Sequence, residues 1–310
     1  MRIIFMGTAE FGVPTLKALH EKYGVVCVVT GCDTRKGRGR KLQPTPVRSA
    51  AENLGLDVLT PVDLNDPEFI EELEAYKADL FYVVAFRILP KKVFTMPSGG
   101  TVNLHASLLP DYRGAAPINW AVINGDEETG LTTFYIEETV DTGDIILNEK
   151  ISIGQDETAG ELAGRMKIIG AFLSLETVEM IENNRAHRKP QPSITARPAP
   201  KLYKEDGRID WSKDARTIHN HVRGMNPSPG AFTQCTKGPL RIHRTSVVDE
   251  TSHGSSGRVI ESSRKGGFVV SCGRGSLRIL EIQPPGKKAM DGASFVRGYR
   301  IEEGLYINEV

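Results

Sequence analysis

DLFYVVAFRILPKKVFTMPSGGTVNLHA, residues 79–106, holds two β-rich apolar runs, DLFYVVAF at 79–86 and TVNLHA at 101–106. Runs without in-and-out alternation are the mark of strands buried on both faces of a parallel sheet. Toward the N-terminus stand two more, RIIFMG at 2–7 and VVCVVT at 25–30. Among them lie stretches of helical composition, Val13 to Lys22, Pro46 to Leu54 and Pro67 to Lys77. The last opens on Asp66 as N-cap, with Pro67 at the first helical position, where a missing N–H costs nothing. This alternation predicts a doubly wound, mostly parallel, Rossmann-like α/β sheet.

Toward the C-terminus, LTTFYI at 131–136 and IILNEKISI at 145–153 form a further strand pair. A long apolar-periodic helix, Thr158 to Glu182, then closes the first domain. From Lys189 the chain turns proline-punctuated and polar, KPQPSITARPAPKLYKEDG, which suits an extended linker. Beyond Trp211 a helical stretch, Ala215 to Arg223, precedes GAFTQC, LRIHRTSVV, GRVIES, GFVVSC and LRILEIQP, short runs separated by glycines. They predict a small OB-like β-barrel. The expected organisation is a first domain at 1–189, a linker at 190–207 and the barrel at 208–310.

With 310 residues and 39% hydrophobic content the chain can bury two cores. No apolar run approaches the roughly 20 residues that cross a bilayer, and MRIIFMG runs directly into a strand, so a cytoplasmic protein without membrane contact is expected. Cys27, Cys32, Cys235 and Cys272 are scattered, without ligand spacing, and are expected to be reduced and structural. Charge balances at 39 basic against 39 acidic residues, but residues 201–310 carry 18 Lys and Arg against 12 Asp and Glu, a balance of +6, which leaves −6 for the rest. Such a partition fits either a solvated basic face or a nucleic-acid partner.

GTAEFG at 7–12 follows a strand but lacks both the Gly-Lys-Ser/Thr of a phosphate loop and the GxGxxG spacing, so it reads as a tight strand-to-helix turn. His219 and His221, two apart on a helix, share no face, and no metal is expected. In NLHASLLPDYRGAAPINWA, 103–121, a strand delivers Asn103 and His105 to one side of a sheet. Its carboxyl end is where open α/β sheets bind ligands. A Pro-led helix follows from near Ala116, and Asp141, in the loop VDTGD, is the third polar group of the set.

Asn-x-His-x-Ser-Leu-Leu-Pro, then Tyr-Arg-Gly, then an Asp-Thr-Gly loop resembles the folate-dependent formyltransferases. The resemblance spans nearly the whole chain: FMGTAEFGVP, KGRGRKL, VVAFRILP, NLHASLLPDYRG, VDTGD, and DGRIDWSKDA followed by NPSPGAF. It implies catalysis by Asn103, His105 and Asp141, and folate contacts from Phe86, Arg87, Ile88 and Leu89 and from Ser107, Leu108, Leu109 and Pro110. Within the family the match is to the tRNA-formylating branch. This implies 10-formyltetrahydrofolate as co-substrate, initiator methionyl-tRNA as partner and a role in translation initiation. A monomer is expected.

The chemistry itself asks for these residue types. An amine attacking a formyl carbonyl creates an oxyanion, and the Asn103 amide is a neutral donor suited to it; loss of one such donor typically costs about 10²–10³ in rate. His105, with a reference pKa of about 6.5, shuttles protons or, charged, stabilises the oxyanion. Asp141 orients the imidazole or relays protons through a water. Thr34 to Arg48 carries Arg35, Lys36, Arg38, Arg40, Lys41 and Arg48 without an acid. Taken alone such a run is more often a solvated loop than a phosphate-backbone contact. The resemblance implies that it engages the acceptor end of the tRNA, with the basic barrel supporting the same RNA. At TGCDTRKGRG the sequence departs from the family's acidic residue and Lys-Pro stretch.

Three other readings compete. A glycinamide ribonucleotide formyltransferase lacks a C-terminal barrel. A sugar-amine formyltransferase has no long phosphate backbone to track with KGRGRKL. An inactive RNA-binding relative has no need of an intact Asn103, His105 and Asp141.

Overall fold

The computed structural model describes residues 1–36, 41–192, 196–236 and 238–309. By internal contacts the chain divides into two units, one of Met1–Gly114, Thr129–Ile151 and Ala163–Pro198, the other of Ala115–Glu128, Ser152–Leu162 and Ala199–Val310.

The first unit is built on seven strands: β1 Ile3–Gly7, β2 Cys27–Val29, β3 Val58–Leu59, β4 Leu80–Val84, β5 Thr101–His105, β6 Glu128–Tyr135 and β7 Ile145–Ser152. Their order is β7-β6-β5-β4-β1-β2-β3. The pairs β1–β2, β1–β4, β2–β3 and β4–β5 are parallel, and β5–β6 is antiparallel. The chain thus winds outward from β1 in one direction and returns on its other side at β4, the switch point beside which open α/β sheets take their ligands. The mostly parallel sheet expected from the sequence is the sheet observed. Every residue of β1 and β4 is buried, which is why they read as unbroken apolar runs.

The helices α1 Val13–Tyr23, α2 Pro46–Asn53 and α3 Pro67–Ala75 form where their composition predicts. The Asp66 side chain accepts from Glu68 N at 3.1 Å, the expected N-cap. The short α4 Lys91–Phe94, the two-residue β3 and a hairpin of Thr34–Lys36 with Lys41–Gln43 lack the length to show a period in the sequence. The turn after β1 is glycine-bound for a steric reason: a Cβ on Gly7 would lie 2.8 Å from the Phe5 ring and 2.9 Å from the Val84 carbonyl oxygen. The helix α6, Ala159–Glu182, opens on a capping box, Glu161 N donating to Thr158 Oγ1 and Thr158 N to Glu161 Oε2. No helix among the described residues is long and apolar enough to cross a membrane. The four cysteines are free, and burial pushes the Cys27 and Cys272 thiols up to about 12.

The second unit holds an antiparallel sheet of β8 Ala231–Cys235, β9 Gly238–Asp249, β10 Val259–Ser263, β11 Gly267–Ser271, β12 Ser276–Gln283 and β13 Met290–Asp291. Its order is β8-β9-β12-β11-β10, with β13 also on β12. The strands fall on the alternating runs of the sequence. The helix α8, Gly292–Tyr299, has two glycines and no long apolar period, and only Asp291 capping Ser294 N marks its start. The helix α5, Pro117–Ile123, is the Pro-led helix anticipated after the YRG motif. The helix α7, Ala215–Met225, buries Ile218 and Val222 in the same core as Leu240, Phe268 and Phe295.

On α7, His219 is buried, with Nδ1 3.0 Å from Thr245 Oγ1 and Nε2 3.2 Å from the Gln155 carbonyl. Desolvation holds both His219 and His221 below the usual histidine range; the Asp156 carboxylate, 3.3 Å from His219, opposes this only in part, and Arg223 and Arg216 reinforce it. A histidine whose folded pKa is depressed leaves the folded chain with fewer protons than the unfolded one. Its contribution is therefore whole above about pH 6.5 and is lost as pH falls below that value. The melting temperature is expected to drop between pH 7.5 and 5.5, with a shallower drop in His219→Gln; equal slopes for the two proteins would contradict the assignment.

Candidate active site

The strand β5 carries the site because its neighbours constrain it on both sides. It pairs in parallel with β4 and in antiparallel register with β6, Asn103 opposite Phe134 and His105 opposite Thr132. Asn103 and His105, two residues apart, face the same side of the sheet. Asn103 is the one residue of β5 that is not buried, and its amide has no hydrogen-bond partner among the described residues. His105 is buried, with the Phe134 ring edge-on at 6.5 Å between centroids.

The chain after β5 folds back over His105. Its Nε2 lies 2.9 Å from the Tyr112 carbonyl oxygen, which can only accept, so Nε2 carries the proton. The other nitrogen, Nδ1, stands 3.8 Å from Asp141 Oδ2, an ion-pair separation too long for a direct hydrogen bond. That same Oδ2 accepts from Gly114 N at 2.9 Å. Asp141 Oδ1 accepts no hydrogen bond among the described residues. The structure thus joins His105 to Asp141 across separate loops and sets Asn103 on the same face of the sheet.

Both loops hold unusual backbone. Tyr112 and Asp141 have φ of 59° and 55°, a left-handed conformation that non-glycine residues seldom adopt. The loop between β6 and β7 has no spare room at Gly143, where a Cβ would lie 1.8 Å from the Tyr135 carbonyl oxygen.

The segments anticipated for folate leave neighbouring parallel strands at the same edge, Phe86–Leu89 after β4 and Ser107–Pro110 after β5. Their side chains differ in availability. Ile88 is 75% exposed, whereas Leu89, Ser107, Leu109 and Pro110 are buried. The Ser107 hydroxyl is spent on the Asp111 carbonyl at 2.5 Å, and Thr132 Oγ1 donates to the Ser107 carbonyl and accepts from Leu109 N. Arg87 donates to the carbonyls of Pro61 and Val62, at 2.7 and 2.9 Å, which ties the loop after β4 to the loop after β3.

Of the basic residues singled out in the sequence, Arg38 and Arg40 lie outside the described residues; Arg35, Lys36 and Lys41 belong to the short hairpin. No group of three or more His, Cys, Asp or Glu side chains among the described residues is placed to hold a metal ion. Sequence reasoning passed over Tyr112 and Gly114, which act through main-chain atoms, and Gln191, which sits in a stretch read as linker. Only the YRG motif signalled the first two.

The family described as formyl transferase matches residues 1–176, and its C-terminal domain matches residues 201–300. Curated relatives named methionyl-tRNA formyltransferase include those of Porphyromonas gingivalis, 46% identical over 99% of this chain and 98% of the relative, and Moorella thermoacetica, 45% identical over 98% of each. The chain is similar in fold to an N-formyltransferase from Helicobacter canadensis in complex with folinic acid and dTDP-3-aminofucose, with a TM-score of 0.68 and 20% identity over 89% of this chain and 98% of that one. It is also similar to HypX from Aquifex aeolicus in complex with tetrahydrofolic acid, with a TM-score of 0.62 and 18% identity over 99% of this chain and 51% of that one.

Because Gly143 is hemmed by main chain rather than by a movable side chain, Gly143→Ala is expected to destabilise the protein by roughly 1–3 kcal/mol, read as a lower urea midpoint. An unchanged midpoint would mean that the loop has room to yield.

Proposed function

The chain belongs to the methionyl-tRNA formyltransferases of the formyl transferase family, and from that premise we propose that it moves the formyl group of 10-formyltetrahydrofolate onto the amino group of methionyl initiator tRNA, at Asn103, His105 and Asp141. The observation that carries this reading is the approach of His105 Nδ1 to Asp141, on the face of the sheet where the Asn103 amide has no hydrogen-bond partner among the described residues. The sugar-amine alternative draws on folds near 20% identity, against relatives at 45% that carry the tRNA enzyme's name.

The methionine amine attacks the formyl carbon, forming a C–N bond and a tetrahedral oxyanion. Asn103 Nδ2 donates to that oxygen, a fixed dipole that needs no reorganisation as charge develops. His105 has Nε2 committed to the Tyr112 carbonyl, so Nδ1 is the nitrogen through which it takes up or gives back a proton, with Asp141 stabilising the doubly protonated ring. Asp141 Oδ1 is the site for a water that carries the amine's proton to N10 of the folate as the C–N10 bond breaks. Phe86 to Leu89 and Ser107 to Pro110 hold the folate, and Arg35, Lys36, Arg38, Arg40 and Lys41 hold the acceptor end of the tRNA through its phosphates. The protein acts as a monomer in the cytoplasm.

Labelled formyl is expected to pass from 10-formyltetrahydrofolate to methionyl initiator tRNA, with little going to the elongator; equal labelling of both, or of neither, would sink the tRNA assignment. Replacing Arg38, Arg40 and Lys41 together is expected to raise the KM for tRNA while slow hydrolysis of the formyl donor persists, since these residues hold the acceptor and not the oxyanion. Loss of both activities would contradict that division.

A further inference from the structure

Gln191 lies in the proline-punctuated stretch, yet it is half-buried and fully engaged. Its Nε2 donates to the carbonyl oxygens of Asp141 and Gly143, each at 2.9 Å, and its Oε1 accepts from Arg113 Nε at 3.2 Å and Nη2 at 2.6 Å. The orientation of the amide is fixed by its partners, for a guanidinium can only donate and carbonyls can only accept. The backbone delivers it there: Lys189 bridges Ile145 in antiparallel fashion, with hydrogen bonds of 2.8 and 3.0 Å, and sets Gln191 two residues on, beside the 141–143 loop. Past residues 193–195, Arg197 holds the other side, its carbonyl accepting from Tyr112 N at 2.7 Å and its guanidinium pairing with Asp111.

Arg113 and Gln191 therefore bridge the two loops whose left-handed residues, Tyr112 and Asp141, flank the His105 ring. We propose that Gln191 is a positioning residue for formyl transfer: its amide, braced by Arg113, clamps the main chain of Asp141 and Gly143 and so sets the carboxylate against His105 Nδ1. The inference rests on the reading of Asp141 as a catalytic group.

Gln191→Glu keeps the size and the Arg113 contact but turns an acceptor oxygen toward the two carbonyls. It is expected to lower kcat by about 10- to 100-fold, the scale of a carboxylate displaced by a fraction of an ångström to 1 Å, with KM for both substrates within about twofold. Gln191→Asn, one methylene shorter, lowers kcat by less. Asp141→Asn lowers kcat on its own, and adding Gln191→Glu to it costs little more, because two groups acting through one contact are not additive. A normal kcat in Gln191→Glu beside a crippled Asp141→Asn overturns the inference and leaves the active-site reading intact. A normal kcat in Asp141→Asn overturns that reading itself. Raised KM with steady kcat, or full additivity in the double variant, removes Gln191 from the positioning role. Should Gln191→Glu fail to fold, Gln191→Asn and Arg113→Lys are compared with Asp141→Asn in the same way.

Discussion

The hydrogen bond between His105 Nε2 and the Tyr112 carbonyl decides how the rest of the site can work. It spends one ring nitrogen on the main chain and so leaves a single nitrogen for chemistry. Everything around it serves that division. Tyr112 has to adopt a left-handed backbone to present its carbonyl, and Asp141 has to adopt another to bring a carboxylate to Nδ1. Conformations of this kind persist where surrounding structure over-determines them, and here the determinants are a glycine with no room for a side chain and hydrogen bonds from Gly114 and Gln191.

Beneath these loops the sheet supplies rigidity at little specific cost. The strand β5 has a partner on each side, and only Asn103 among its five residues escapes burial. A partly exposed amide with no hydrogen-bond partner among the described residues is open to an acceptor on a ligand. In the proposed reaction the developing oxyanion is that acceptor, and a contact that strengthens as charge develops favours the transition state over the ground state.

The sheet was legible because burial on both faces writes continuous apolar runs, and the antiparallel sheet because alternation writes a period of two. Asn103, His105 and Asp141 stood out as candidates through side-chain chemistry and motif, while the approach of His105 to Asp141 needed the fold to appear. What escaped was the work of main-chain atoms and of short elements. A carbonyl such as that of Tyr112 leaves no mark on residue identity. The helix α8 carries two glycines and is fixed by its Asp291 cap and the burial of Phe295 and Val296. Gln191 escaped for another reason: prolines near it signal extended chain, and extended chain says nothing about whether a side chain along it is tethered.

Residues 177–200 fall between the two family matches, and Lys189, Gln191 and Arg197 all lie there. A connector in the usual sense is exchangeable, and modules on either side can be shuffled by recombination or excised by a protein engineer. This one is not separable in that way. Its two docked ends carry hydrogen bonds to segments that shape the loops of the proposed site, so an N-terminal module cut at the edge of its family match would keep the three candidate side chains while shedding part of their scaffold. Portability of the first module therefore ends beyond Arg197, 21 residues past the end of its family match at residue 176.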